Sequence, residues 1–208
     1  MNKRFYGILL LLLLAFLFLT GCETGGKLKI YNKTSHLLFA GIHGELYTIG
    51  SDSTLTLDFA TPTESIFNPD TSIEVDMFLS GETFQIFDEF LGTFVDSTFV
   101  VINTGETYKV YANPNRACVK VINQSQRWIK KIIVQRNTVS TSVTTTYDVF
   151  MAPGDTWFKQ QIPSNSSQAF FYVVQIQFEN DDLVTYGDIQ NVLYADDLFL
   201  VEVLEPEE

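Results

Sequence analysis

The sequence predicts an all-β protein, two tandem small β-sandwich (Ig-like) domains behind an N-terminal signal peptide. Three observations carry this expectation. Short runs rich in β-branched and aromatic residues are separated by clusters of Asn, Asp, Gly, Ser and Pro. Beyond the leader, no stretch holds a convincing helical period of apolar residues. The pattern of the first half also returns about 91 residues later, as expected of a duplicated unit.

Taken in order, the first predicted strand is "KLKIYNKT" (27–34), where Leu28 and Ile30 alternate with Lys27 and Lys29. "STLTLDF" (53–59) and "SIEVDMFL" (72–79) follow, each bounded by turn residues. In "FDEFLGTFV", Phe87, Phe90, Leu91 and Phe94 fall at helical spacing, but Gly92 and the β-rich flanks favour a strand or irregular segment. "ETYKVYA" (106–112) closes the first half. Pro114, flanked by Asn113 and Asn115, marks a turn or linker, giving domains at 27–113 and 115–208. The alternative is one continuous sandwich or barrel.

The second half opens with "CVKVIN" (118–123). "VKVINQSQRWIKKII" aligns with "LKIYNKTSHLLFAGI" at an offset of 91, placing Asn32 on Asn123, Ile30 on Val121 and Ile42 on Ile133. The last strands, "ETYKVY" and "DLFLVE", align at the same offset, whereas "EVDMFLSGETF" meets "VQIQFENDDLV" only at an offset near 99. Asn32 and Asn123 begin Asn-x-Ser/Thr sequences and read as turn residues. The stretch 136–149 is extra in the second half. Val139, Val143, Tyr147 and Val149 share one parity there, which suggests a hairpin arm with one apolar side.

The leader explains where the folded chain starts. Lys3 and Arg4 precede twelve unbroken apolar residues, Ile8 to Leu19, too few for a bilayer span of about 20 helical residues but right for a secretory signal. Leu19-Thr20-Gly21-Cys22 follows directly. This resembles the lipobox of bacterial lipoproteins: an aliphatic residue, two small residues and Cys. The resemblance is confined to the leader. It implies cleavage before Cys22, a covalent lipid on Cys22 and anchoring to a membrane of the cell envelope. Each buried acyl methylene contributes about 0.8 kcal/mol, and two or more chains anchor stably. Residues 22–26 form a short tether, of which Glu23 to Gly26 reach at most about 14 Å. Residue 23 is Glu and not the Asp that retains lipoproteins at the inner membrane of some diderm bacteria, so the outer membrane is favoured in a diderm host.

Removing residues 1–21 leaves one cysteine besides Cys22, so Cys118 has no partner within the chain and is expected as a small strand residue. The whole chain carries a net charge of −12 at pH 7, and loss of Lys3 and Arg4 makes this −14. That sign disfavours nucleic acid as a partner. Arg116, Lys120, Arg127, Lys130, Lys131 and Arg136 nevertheless cluster, and acids dominate after Lys159. The bases could meet headgroups or an anionic glycan; pairing with the acidic C-terminal strands is the favoured reading.

Catalytic signals are thin. His36 and His43 are an odd number of residues apart, so a shared metal on one strand is disfavoured, and no metal or other cofactor is expected beyond the lipid. There is no phosphate loop, nucleophile elbow or calcium-loop order, so no catalytic residue is assigned. Trp157 faces outward if Phe158 and Ile162 face inward, making it a candidate sugar-stacking ring; closing an open sandwich edge is the favoured alternative. Trp128 is expected in the core or between domains. Leu91, Phe94 and Val95 form a docking patch if exposed, although filling a Phe-rich core is the favoured reading. The sequence thus points to a non-catalytic envelope module binding another envelope protein. The alternatives are a glycan-binding module and an acidic inhibitor or scavenger of basic proteins.

Overall fold

The structure, a computed structural model, describes residues 25–60 and 72–205. Cys22 and the lipobox lie outside the described residues. Every regular element among the described residues is a strand, and the fold is all-β. In the first half these are β1 (Gly25–Asn32), β2 (Leu38–Ile42), β3 (Glu45–Ile49), β4 (Thr54–Ala60), β5 (Ser72–Gly81), β6 (Ile86–Asp88), β7 (Thr93–Val95), β8 (Ser97–Asn103) and β9 (Thr107–Ala112). In the second they are β10 (Ala117–Asn123), β11 (Ile129–Asn137), β12 (Ser142–Met151), β13 (Thr156–Gln161), β14 (Phe171–Phe178), β15 (Leu183–Tyr186) and β16 (Leu198–Val203).

The sheets repeat. Strand order β4-β1-β9 in the first half becomes β13-β10-β16 in the second, and β3-β2-β5-β8 becomes β12-β11-β14-β15. Only the two-stranded sheet β6-β7 lacks a counterpart among the described residues. The hydrogen bonds from Lys27 N–H to Glu106 O (2.9 Å) and from Lys33 N–H to Ala112 O (3.0 Å) recur 91 residues later. There they run from Cys118 N–H to Asp197 O (2.9 Å) and from Gln124 N–H to Val203 O (2.9 Å).

Between β2 and β11 the offset of 91 slips by one residue for a local reason. β11 carries an extra residue between Ile129 and Lys131 relative to β14. Leu38 pairs with Gly81 as Ile129 pairs with Phe178, but Gly41–Phe78 corresponds to Ile133–Gln175. The predicted match of Ile42 with Ile133 is therefore one residue out. Ile42 is buried and its counterpart is buried Val134. A one-residue slip changes the face a side chain occupies, and the bulge absorbs it.

By density of contact, the described residues fall into two compact units. One takes the described parts of Met1–Lys29, Leu55–Val75 and Phe99–Val110. The other takes Ile30–Thr54, Asp76–Thr98 and the described part of Tyr111–Glu208. Within the first unit, Leu28, Phe59, Val75, Val100 and Ile102 are buried. Gly25 and Gly26, expected in the tether, instead begin β1, and Gly105 N–H donates to Gly25 O at 2.8 Å. A Cβ on Gly25 would lie 2.2 Å from Phe59 O, so this close backbone approach requires glycine.

Within the second unit, one core joins the two sheets of the second repeat. Val119 and Val121 from β10, Ile132 and Val134 from β11, Tyr172, Val174, Ile176 and Phe178 from β14, and Val201 and Val203 from β16 share it. Strict alternation along β14 puts Tyr172, Val174, Ile176 and Phe178 on one face. Residues 136–149 form the expected hairpin, built into the sheet. β11 pairs with β12 through Asn137↔Ser142 and with β14 through Asn137↔Phe171, so the segment continues the sheet. Tyr147 and Val149 pack on the core, while Val139 and Val143 are exposed near the tip.

Candidate interaction surfaces

The most distinctive surface is the β6–β7 hairpin, which pairs Ile86 with Val95, Phe87 with Phe94 and Asp88 with Thr93. Asp88 shapes its tip. Its Oδ1 accepts the N–H groups of Phe90 and Leu91, both at 2.9 Å, and its carbonyl accepts Gly92 N–H at 2.8 Å. Gly92 takes φ +64°, which glycine adopts without a Cβ penalty. Leu91 and Phe90 consequently point into solvent, 61% and 96% exposed.

The hairpin base is fixed. Phe94 meets Phe87 edge-on at 5.0 Å, and the Arg116 guanidinium sits 3.5 Å from the Phe94 ring centroid. Arg116 also donates to Gln85 Oε1, and Asn115 exchanges hydrogen bonds with the Gln85 backbone. Phe94 and Val95 are half-buried in this base. The favoured expectation that these apolar residues fill a core does not hold for Leu91. Phe90, the most exposed of them, is the residue sequence reasoning missed. A Phe two residues before Gly92, in a stretch read as strand or irregular, was the available signal.

The basic cluster is largely neutralised. Lys120 Nζ lies 2.7 Å from Glu82 Oε1, and Arg127 Nη2 lies 2.7 Å from Asp182 Oδ2. Lys130 meets Asp181 at 3.1 Å, and Lys131 meets Asp148 at 3.7 Å. Hydrogen bonds from Asn180 and then Arg127 hold the exposed Asp182 carboxyl below its usual range. Arg136 and Arg127 lie over the Phe170 and Phe178 rings at 5.0 and 4.2 Å. Asp181 and Asp182 belong to the C-terminal acidic stretch, whereas Glu82 and Asp148 do not.

Trp157 faces the core from edge strand β13, as the edge-closing reading has it and not outward as the sugar-stacking candidate requires. It pairs with buried Val121 across the β10–β13 ladder and packs at 5.1 Å on Tyr147. Phe158 therefore faces the other way and stacks on Phe39, with ring centroids 6.0 Å apart, and Ile162 is exposed. Trp128 is 48% exposed and does not fill the core. Cys118 is fully buried in β10, and burial pushes its thiol up to about 12, which makes it inert at neutral pH.

His36 lies in the turn before β2. Its Nε2 donates to Asp196 O at 2.9 Å, and its Nδ1 is 4.0 Å from Glu82 Oε2. His43 sits in the β2–β3 turn, at the other end of β2 from His36. Among the described residues, no group of three or more His, Cys, Asp or Glu side chains could hold a metal ion.

No protein-family model matches this sequence, and no curated protein matches it. Among solved structures, the chain is similar to the TIE protein of Bacillus anthracis, with 8% identity and a TM-score of 0.28. That match covers 88% of this chain but only 33% of the other. A Bacteroides ovatus protein provisionally described as a cell adhesion protein shares 6% identity, with coverage of 86% and 92% and a TM-score of 0.33. The major pilin of Streptococcus pyogenes shares 8% identity, with coverage of 89% and 99% and a TM-score of 0.24. Scores at this level leave the functional reading to the chain's own residues.

Proposed function

We propose that this protein is a non-catalytic, lipid-anchored module of the bacterial cell envelope that docks another envelope protein. The observation that carries the reading is the β6–β7 hairpin. It is the sheet that the second repeat lacks, its base is fixed by Arg116 and Asn115, and its tip exposes Phe90 and Leu91. Large apolar side chains on a rigid projection suit insertion into a partner's pocket, the usual form of an interface anchor. Anchoring rests on the lipobox resemblance at Leu19-Thr20-Gly21-Cys22, with the covalent lipid on Cys22 as the only added group. Glu23 favours the outer membrane where the host has one.

Affinity capture from detergent-solubilised envelopes of the host tests this reading, with the lipidated chain and its Phe90→Ser/Leu91→Ser variant as baits. One stoichiometric protein retained in high salt by the parent and lost by the variant is expected. A partner held equally by both baits moves the docking site elsewhere, and one lost in high salt favours steering by the acidic surface. A Cys22→Ala variant that remains in the membrane fraction would remove the anchoring part of the proposal.

A further inference from the structure

The outer face of the sheet β3-β2-β5-β8 carries a hollow of about 550 Å³, open to solvent, within the size range of about 300–1,000 Å³ typical of small-ligand clefts. Gly41 is one of its lining residues. Gly41 stands in mid-β2, paired with Leu46 on β3 and Phe78 on β5. A Cβ at Gly41 would lie 3.3 Å from Phe78 Cβ and 3.7 Å from Cδ1, so Phe78 leans over bare backbone. Phe78 is still 40% exposed. His43, Asp76, Ser97 and Thr98 also line the hollow, and Asp76 shares the outward parity of Phe78 along β5.

The second repeat serves as an internal control. At the same place on the same sheet, the row reads Thr146, Ile133, Gln175, with a branched side chain in place of Gly41 and an amide in place of Phe78. The fold therefore does not need a glycine here. A ring laid on a strand glycine is a known packing device, but that alone does not call for Asp76, His43 and Ser97 beside it.

We propose that this hollow binds a neutral saccharide ring. An exposed aromatic edge beside bare backbone offers an apolar platform for the C–H face of a sugar. Asp76 accepts from hydroxyl groups, and Ser97, which shares the outward parity of Phe99 and Val101, can donate or accept. The carboxylate at the rim and the chain's net charge of −12 disfavour an acidic sugar. The site is separate from the β6–β7 hairpin and does not depend on it.

Saturation-transfer difference NMR on the full chain in nanodiscs tests the proposal, with cellotetraose, mannotetraose and chitotetraose as neutral probes and trigalacturonate as the acidic comparator. Transfer to at least one neutral probe is expected. Phe78→Ala should weaken it about tenfold, and Gly41→Val, whose side chain presses on Phe78, should abolish it while the chain still unfolds cooperatively. If Gly41→Val does not fold, Asp76→Asn takes its place and should weaken binding in a folded chain. Three outcomes would overturn the proposal: no transfer to any neutral probe, transfer unchanged by the variants, or equal transfer to trigalacturonate.

Discussion

Asn32 and Asn123 show how much one side chain can fix. Asn32 Nδ2 donates to the carbonyls of His36, Ile49 and Gly50, while its Oδ1 accepts the N–H and hydroxyl of Thr34. Asn123 repeats this with Arg127, Met151 and Ser125. Both are fully buried, so neither amide can carry a glycan despite the Asn-x-Ser/Thr sequences. Asn32→Ala leaves several buried carbonyls unsatisfied and should cost about 2–4 kcal/mol in urea unfolding, with a smaller loss for Asn123→Ala. Burial also pushes the Tyr172 hydroxyl, which donates to Ile162 O at 2.6 Å, up to about 12, as it does Cys118. The folded state holds both protons more tightly, so their contribution is complete below the unfolded pKa values. It is lost as pH rises from about 9 toward 12. A Tyr172→Phe/Cys118→Ala variant should flatten this alkaline limb of the stability curve.

Among elements, the lengthened hairpin β11–β12 and the unmatched hairpin β6–β7 differ in kind. β11–β12 extends an existing sheet and shares the core through Tyr147 and Val149. Its four-residue tip is closed by Thr138, whose Oγ1 accepts Ser140 and Thr141 N–H. By contrast, the compact β2–β3 turn uses two residues with positive φ, His43 at +52° and Gly44 at +81°, the backbone of a two-residue type I′ turn. The β6–β7 tip serves no core. Phe90→Ser/Leu91→Ser should therefore shift unfolding free energy by less than about 0.5 kcal/mol, as read by urea titration. A loss of several kcal/mol would mean that the tip is structural, against the docking role.

At the scale of the molecule, charge is settled locally. Glu82, only 4% exposed, is held by Lys120 Nζ and by Leu37 N–H at 3.2 Å. Asp196 accepts the Ser35 N–H and the Thr83 hydroxyl, and Gln160 donates to Ser80 Oγ and Gly81 O. These contacts, all inside the larger compact unit, fasten turns of the first repeat to strands and loops of the second. Lys120→Met strands a buried carboxylate and should cost about 3 kcal/mol or more. Adding Glu82→Gln should recover much of that loss, giving a positive coupling in a double-mutant cycle. Additive losses would show that the pair contributes little as a pair.

By itself the sequence determined the strand class, the two-fold repetition and the lipobox resemblance. All three rest on local information: alternation in runs such as Leu28 and Ile30, the Asn32 and Asn123 turns, and the spacing around Cys22. Tertiary structure alone decided which face each aromatic takes. Trp157 turned inward because its register places it beside Val121, and Phe90 turned outward because Asp88 closes the hairpin beneath it. Gly41 gave no local signal. Its emptiness matters only because pairing sets Leu46 and Phe78 on either side, and the bulge after Ile129 puts Ile133 in the matching place. Residue type sets whether a side chain can be buried, whereas register and bulges, made by distant strands, set which side it faces.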